Sequence, residues 1–302
     1  MKKDLLSCMD INHTDLEKIF DLSVKLKAGR GRPNQPKPLE GKAVGMIFSK
    51  SSTRTRVSFE VGICELGGHA LYLDQGKTQM GRGETVPDTA RVLERYLAGI
   101  VIRTYSQQEV EELAANARIP VINALTDDFH PCQALTDIFT MYEYAGHLNG
   151  LKMAYLGDGA SNMANSLIVA AKLSGVHMSI AAPEEYRPRQ ELLDIAVGSG
   201  SASYTSSVKE AMSDADFVYT DVWVSMGFEE ESRSRMKILE PYRLDMNALR
   251  MGKPGVKVLH CLPAHRGEEI TDEVMDSEAS IVFDQAENRL HVQKAILSLL
   301  MA

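Results

Sequence analysis

The sequence has only four cysteines, Cys8, Cys64, Cys132 and Cys261, and they stand far apart, with no Cys-x-x-Cys pair and no Cys/His cluster. That spacing offers neither a zinc site nor a disulfide framework, so reduced thiols and no bound metal are expected. Long apolar runs are also missing: none approaches the roughly eighteen uninterrupted residues of a membrane span. The opening MKKDLLSCMDIN carries acids where a secretory signal has its apolar core. A cytoplasmic protein that does not engage a membrane is therefore expected. Positive charge is in deficit too. A formal net charge of -8 argues against bulk nucleic-acid binding and leaves anions to be held in local basic pockets. There is no internal repeat and no low-complexity tract.

What is present is an ordinary globular composition, with 302 residues, 44% hydrophobic and 25% charged, a length for which two domains are the default. Apolar strand-like runs alternate with amphipathic segments of helical length, the mark of α/β architecture. The strand candidates are AVGMIF, HALYL, GIVIRTY, PVINAL, KMAYLGD, HMSIAAP, ADFVYTDV, VKVLHCLP and SIVFDQ. Between them lie helices such as residues 53–66, where Val57, Val61 and Cys64 recur at helical spacing and Gly67-Gly68 supplies the stop. A helix expected over residues 132–145 ends at Gly146, and a new strand begins at Lys152. Apolar Val292, Ala295, Ile296 and Leu299 make residues 286–300 a closing amphipathic helix. The expectation is two doubly wound domains, each with a central parallel sheet: residues 1–146 joined by the C-terminal helix 286–302, which packs back on them, and residues 147–285.

Chemistry concentrates where these runs end. In KSSTRTRVSFE, a strand, a short polar loop and a helix starting near Thr53 make an anion site. Backbone N–H groups at a helix N-terminus, aided by the helix dipole, favour phosphate or carboxylate. Ser52, Thr53 and Thr55 add hydroxyls, and Arg54 adds a planar guanidinium suited to phosphate. The same residues also read as a capped helix with surface arginines. The GxxxxGK[ST] order is absent, so nothing here points to ATP hydrolysis.

Other candidates follow the same logic. In DDFHPCQALTD, Pro131 biases His130 toward extended backbone and suits a first helical turn, directing His130 and Gln133 toward the crevice beyond the strand ends. A capping histidine and a surface glutamine are the plainer alternative. Arg103 ends the apolar run GIVIRTY and must find an anion or a carboxylate. YLGDGASNMANS looks like a dinucleotide turn, but Asn162 replaces its third glycine and offers an amide instead. After ADFVYT come Asp221, the sole tryptophan Trp223, and Ser225-Met226-Gly227. A carboxylate there can hold an ammonium group, and the turn can expose N–H groups to a carboxylate. VLHCLPAHRGEEI puts Cys261 at a strand end, and QAENRLH puts Arg289 at the start of the last helix.

Taken together, SSTRTRVSFE, DTARVL and HPCQ resemble the aspartate and ornithine carbamoyltransferase family over nearly the whole chain. DVWVSMG and HCLP narrow the resemblance to the ornithine branch, since the aspartate enzymes carry a different loop and typically HPLPR at the second place. The resemblance implies transfer of the carbamoyl group of carbamoyl phosphate to the δ-amine of L-ornithine, without cofactor, in a homotrimer. It places Ser52, Thr53, Arg54 and Thr55 in the carbamoyl-phosphate loop, with Arg103, His130, Pro131, Cys132, Gln133 and Arg289 around that substrate. Cys261 and Leu262 line the reaction centre, and Gln79 completes a neighbouring subunit's site. Asn162, Asp221, Ser225 and Met226 form the ornithine set, with Asp221 facing the α-ammonium. The catalytic expectation falls on Arg103, His130, Gln133 and Cys261. Two departures touch the amino-acid side: Ser161 precedes Asn162 where the family often has Asn-Asn, and Phe228 follows Ser-Met-Gly where a polar residue is common. Related transferases acting on putrescine, aspartate or N-acetylornithine, a non-catalytic phosphometabolite-binding subunit and a nucleotide-dependent oxidoreductase are the competing readings.

Overall fold

The computed structural model describes residues 1–197, 201–224 and 232–302. Its chain divides into two units, Met1–Thr136 with Asn288–Ala302, and Asp137–Glu287. In the first, β1 (Ala43–Phe48), β2 (His69–Asp74), β3 (Gly99–Arg103) and β4 (Val121–Leu125) form a parallel sheet in the order β2-β1-β3-β4. Its helices are α1 (His13–Ala28), α2 (Thr53–Glu65), α3 (Val86–Leu93), α4 (Gln107–Asn116) and the beginning of α5 (Pro131–Ala145). Every residue of β3 is buried, because a parallel strand covered on both faces needs a continuous apolar run rather than an alternating one. Ile100 and Ile102 pack with Val110 and Leu113 of α4. The edge of β4 is covered by the N-terminal segment: the Leu5 N–H donates to the Val121 carbonyl at 3.0 Å, and the Leu5 carbonyl accepts from the Asn123 N–H at 2.8 Å.

The second unit repeats the plan with five strands, β5 (Lys152–Leu156), β6 (His177–Ala181), β7 (Ala202–Thr205), β8 (Phe217–Thr220) and β9 (Lys257–His260), in the parallel order β7-β6-β5-β8-β9. Sequence order reverses between β5 and β8, so a switch-point crevice opens at their carboxyl ends. The helices are α6 (Asn162–Ser174), α7 (Gln190–Val197), α8 (Val208–Met212), α9 (Ser232–Leu239), α10 (Met246–Leu249), α11 (Asp272–Met275) and the first turns of α12 (Val282–Met301). No helix among the described residues is long and apolar enough to cross a membrane.

From Asn288 onward α12 belongs to the first unit, as expected for the closing helix. Lys294 Nζ reaches Glu65 Oε2 at 2.6 Å, and Lys42 Nζ donates to the Met301 carbonyl at 2.5 Å. Gly99 makes the close approach possible: a Cβ there would lie 2.1 Å from Met301 Cε. The chain passes from the first unit to the second inside α5, between Thr136 and Asp137. The reason is chemical: Asp137 Oδ1 accepts from Gln285 Nε2 at 2.6 Å and Tyr144 donates to Asp284, so the later turns of α5 are tied to the start of α12.

One expected strand is corrected. SIVFDQ contributes a single bridge, Ser280 to Val258, and then turns into α12. Ile281, Val282 and Gln285 are buried while Phe283 is 67% exposed, which is helical spacing; a three-residue apolar run cannot separate the two periods. Conversely, β7 was not foreseen, because ASYT is short, half-exposed and sits at a sheet edge with no apolar run to mark it.

Candidate active site

In the first unit, β1 leads into SSTRTR at the carboxyl end of the sheet. Ser52 is the N-cap of α2, with extended backbone, and its hydroxyl accepts the Thr55 N–H at 3.3 Å. The first turn of a helix leaves N–H groups without intrahelical partners, at the positive end of the dipole. Thr53 is exposed, Arg54 half-buried and Thr55 buried. Arg289, arriving on α12, donates through Nη2 to Thr55 Oγ1 at 2.8 Å and through Nη1 to Gln133 Oε1. One guanidinium thus joins three positions that are far apart in sequence. An amide oxygen carries two lone pairs, and this contact occupies one of those on Gln133.

Arg103 closes β3 and His130 directly precedes α5; they are 9% and 4% exposed. Burial, reinforced by the charges of Arg289 and Arg103, holds the His130 imidazole well below its ordinary range, so it is neutral at pH 7. The His130 carbonyl accepts from the Gln133 and Ala134 N–H groups at 3.2 and 3.1 Å, which aligns the start of α5 with Pro131 as its first residue. Cys132 faces the interior: Sγ is 3.5 Å from the Asn123 carbonyl, and burial pushes its thiol up to about 12. Gln79 is exposed, ahead of the short 3-10 turn Met80–Arg82.

In the second unit, Asp221 follows β8 and Cys261 follows β9, two neighbouring strands. Cys261 Sγ donates to Asp221 Oδ1 at 2.8 Å, and the Val222 N–H donates to the same oxygen at 2.7 Å. Burial raises the Asp221 carboxyl above its usual value despite these bonds. Burial and the Asp221 carboxylate push the Cys261 thiol well up, which disfavours a thiolate nucleophile. Asn162 opens α6, and Ser161 caps it, accepting the Ala164 N–H at 3.1 Å while lying 2.9 Å from the Tyr155 hydroxyl. Serine is as good an N-cap as asparagine, so this departure leaves the local geometry of Asn162 intact. Ser225, Met226 and Phe228 lie outside the described residues.

The GDG turn after β5 is closely packed from within the unit. Gly157 has φ +126°, and a Cβ there would lie 3.3 Å from the Nε1 of Trp223, itself 1% exposed. The indole packs on the first glycine of the turn, the one that makes the tight bend, and a Cβ at the second, Gly159, would lie 2.9 Å from the Tyr186 carbonyl.

Sequence reading missed the support beneath Cys261. Leu262 is left-handed (φ 59°) and is followed by a cis bond to Pro263. The His260 Nδ1 accepts the Leu262 N–H at 2.8 Å, which leaves Nε2 to face Glu269 Oε1 at 3.0 Å. That Glu269 oxygen also accepts the His265 N–H at 2.6 Å, so one buried carboxylate fastens both ends of the turn. Asp221, His260 and Cys261 offer ligand atoms within 4.8 Å of one another, as do His265, Glu268 and Glu269. In the first group these hydrogen bonds already engage every member. Replacing Glu269 with alanine orphans buried donors and is expected to cost about 3 kcal/mol. A lower urea midpoint at unchanged m-value would show it.

Two doubly wound units, one with an arginine-bearing loop at a helix N-terminus and the other with a buried carboxylate beside a thiol, fit the class of group transferases that take an anionic donor and an amine acceptor. Comparison with known proteins agrees with that class. Residues 3–143 match the carbamoyl-P binding domain of aspartate/ornithine carbamoyltransferases, and residues 149–300 match the Asp/Orn binding domain. The chain is 51% identical to an ornithine carbamoyltransferase of Methanoculleus marisnigri, over 100% of its own length and 98% of the relative's. It is 50% identical to one from Anoxybacillus flavithermus, over 98% and 95%. The solved ornithine carbamoyltransferase from Pyrococcus furiosus superposes with a TM-score of 0.93 at 47% identity, covering 99% of this chain and 96% of that one. The chain belongs to the aspartate/ornithine carbamoyltransferase family.

Proposed function

We propose that this chain is an enzyme that transfers the carbamoyl group of carbamoyl phosphate to the δ-amine of L-ornithine, giving L-citrulline and phosphate. The observation that carries the reading is full-length identity of about one half to ornithine carbamoyltransferases. The geometry supports a division of labour. In the first unit, the α2 N-terminus with Ser52, Thr53 and Arg54 receives the phosphate as negative charge moves onto it. Thr55, Arg103 and His130 donate to the carbamoyl oxygen as the amine attacks and a tetrahedral intermediate forms. Gln133, held by Arg289, orients the carbamoyl NH₂. In the second unit, Asp221 receives the α-ammonium, with Asn162, Ser225 and Met226 completing the amino-acid side. Cys261 and Leu262 line the reaction centre, and a thiol that already donates to Asp221 shapes the pocket rather than attacking.

The assembly belongs to the same reading: a homotrimer in which the exposed Gln79 enters a neighbour's site, working in the cytoplasm in arginine synthesis. The decisive experiment offers carbamoyl phosphate with ornithine, putrescine, aspartate or N-acetylornithine and follows ureido product and phosphate together. Citrulline formation far ahead of the other products is expected. Preference for a different amine would overturn the roles of Asp221, Ser225 and Met226, whereas carbamoyl-phosphate binding without transfer to any acceptor would indicate a binding subunit.

A further inference from the structure

Lys50 stands two positions before the N-cap Ser52 and is only 6% exposed, an unusual place for an ammonium. Its Nζ lies 2.5 Å from Asp127 Oδ1 and 4.1 Å from the centroid of the Tyr105 ring. These partners follow β4 and β3, so one side chain ties together the segments leaving three adjacent strands. Backbone bonds knit the same segments. The Ser49 N–H donates to the Arg103 carbonyl at 2.9 Å, the Thr104 N–H to the Leu125 carbonyl at 3.0 Å, and the Asp127 N–H to the Tyr105 carbonyl at 2.8 Å. Side chains add to the knot, since Ser49 Oγ is 3.1 Å from Thr104 Oγ1.

Each tied segment carries part of the anion half-site: residues 52–55 after β1, Arg103 at the end of β3, and His130 with Gln133 beyond β4. The Asp127 side chain is 47% exposed, so the ion pair is half in water and gives little stability for the burial of Lys50. An apolar side chain of similar length would fill the same space. What the ammonium adds is a directional link, a cation–π contact on one side and a carboxylate on the other.

We propose that Lys50 is a positioning residue of the anion half-site, its ammonium held between the Asp127 carboxylate and the Tyr105 ring so as to fix residues 49–52 against the ends of β3 and β4. The inference rests on the assignment of residues 52–55 to the phosphate of carbamoyl phosphate. It requires Lys50 to act through the backbone of the loop and not by touching the anion.

The test measures KM for carbamoyl phosphate, Ki for inorganic phosphate, KM for ornithine and the urea midpoint in the intact enzyme. Lys50→Met should raise the first two by about tenfold or more, leaving the ornithine KM and the midpoint nearly unchanged. Lys50→Arg, which keeps both contacts, should return phosphate affinity to within about threefold of the parent enzyme. Asp127→Asn separates positioning from direct contact: loss of the carboxylate anchor should also weaken phosphate binding by several fold. If Asp127→Asn instead leaves phosphate binding intact or tightens it while Lys50→Met abolishes it, Lys50 is a direct ligand and the proposal falls. It falls equally if Lys50→Met leaves Ki unchanged, or weakens binding only in step with a lower midpoint. Arg54→Ala is the companion measurement. An unchanged phosphate Ki there would remove the assignment of the loop itself, a failure distinguishable from that of Lys50.

Discussion

Replacing His130 with alanine is expected to reduce turnover by about a hundredfold or more with both substrates saturating, the usual loss when one oxyanion donor is removed. The expectation follows from its surroundings. A nearly buried imidazole beside two guanidiniums is held neutral, so it offers an N–H whose hydrogen bond strengthens as charge develops on the carbamoyl oxygen. Two further observations discriminate this role from simple packing. His130→Asn, which retains an N–H donor, should recover part of the loss, and KM for carbamoyl phosphate should move much less than kcat. A fall of only a few fold in kcat would remove His130 from the oxyanion role. The same depressed value gives the stability a sign. Between the folded value and 6.5 the unfolded chain binds the extra proton, so the contribution to stability is full above 6.5 and declines as pH falls through that window. The urea midpoint of His130→Ala should therefore fall less steeply below pH 6.5 than that of the parent enzyme.

Asp221→Asn should raise KM for ornithine by roughly tenfold to a hundredfold, the range for losing a hydrogen bond to a charged partner, with KM for carbamoyl phosphate unaltered. Its effect on stability should run the other way. Burial raises the Asp221 carboxyl, and a group whose folded value lies above its unfolded one stabilises fully only below the unfolded value and loses that contribution as pH rises through the folded one. At neutral pH the neutral amide is the better-buried group, and it keeps an oxygen to accept from Cys261 and Val222. The variant should thus show a higher urea midpoint together with its weaker ornithine binding. Equal ornithine KM in the two proteins would take the α-ammonium away from Asp221.

How much of this was legible follows from the range over which each signal acts. The strand ends were readable because a buried parallel strand must be apolar throughout, as in AVGMIF and GIVIR. The capped start of α2 was readable because cap, hydroxyls and arginine lie within a few residues of one another. The link from Arg289 to Thr55 and Gln133 was not, since no local pattern tells a surface arginine from one that returns on the last helix. His260 and Glu269 were equally hidden: in HCLPAHRGEEI the buried carboxylate and its half-buried neighbour Glu268 look alike. The apolar triplet in SIVFDQ failed for a third reason, being too short to carry a period.

The indole seated over Gly157 bears on how such a fold changes occupation. A doubly wound half with a glycine turn at its switch point is ready-made for a nicotinamide cofactor. Here the first glycine of that turn carries an indole from a residue only two positions past Asp221. One short segment of chain thereby supplies both the packing of that turn and Asp221, the carboxylate proposed for the acceptor.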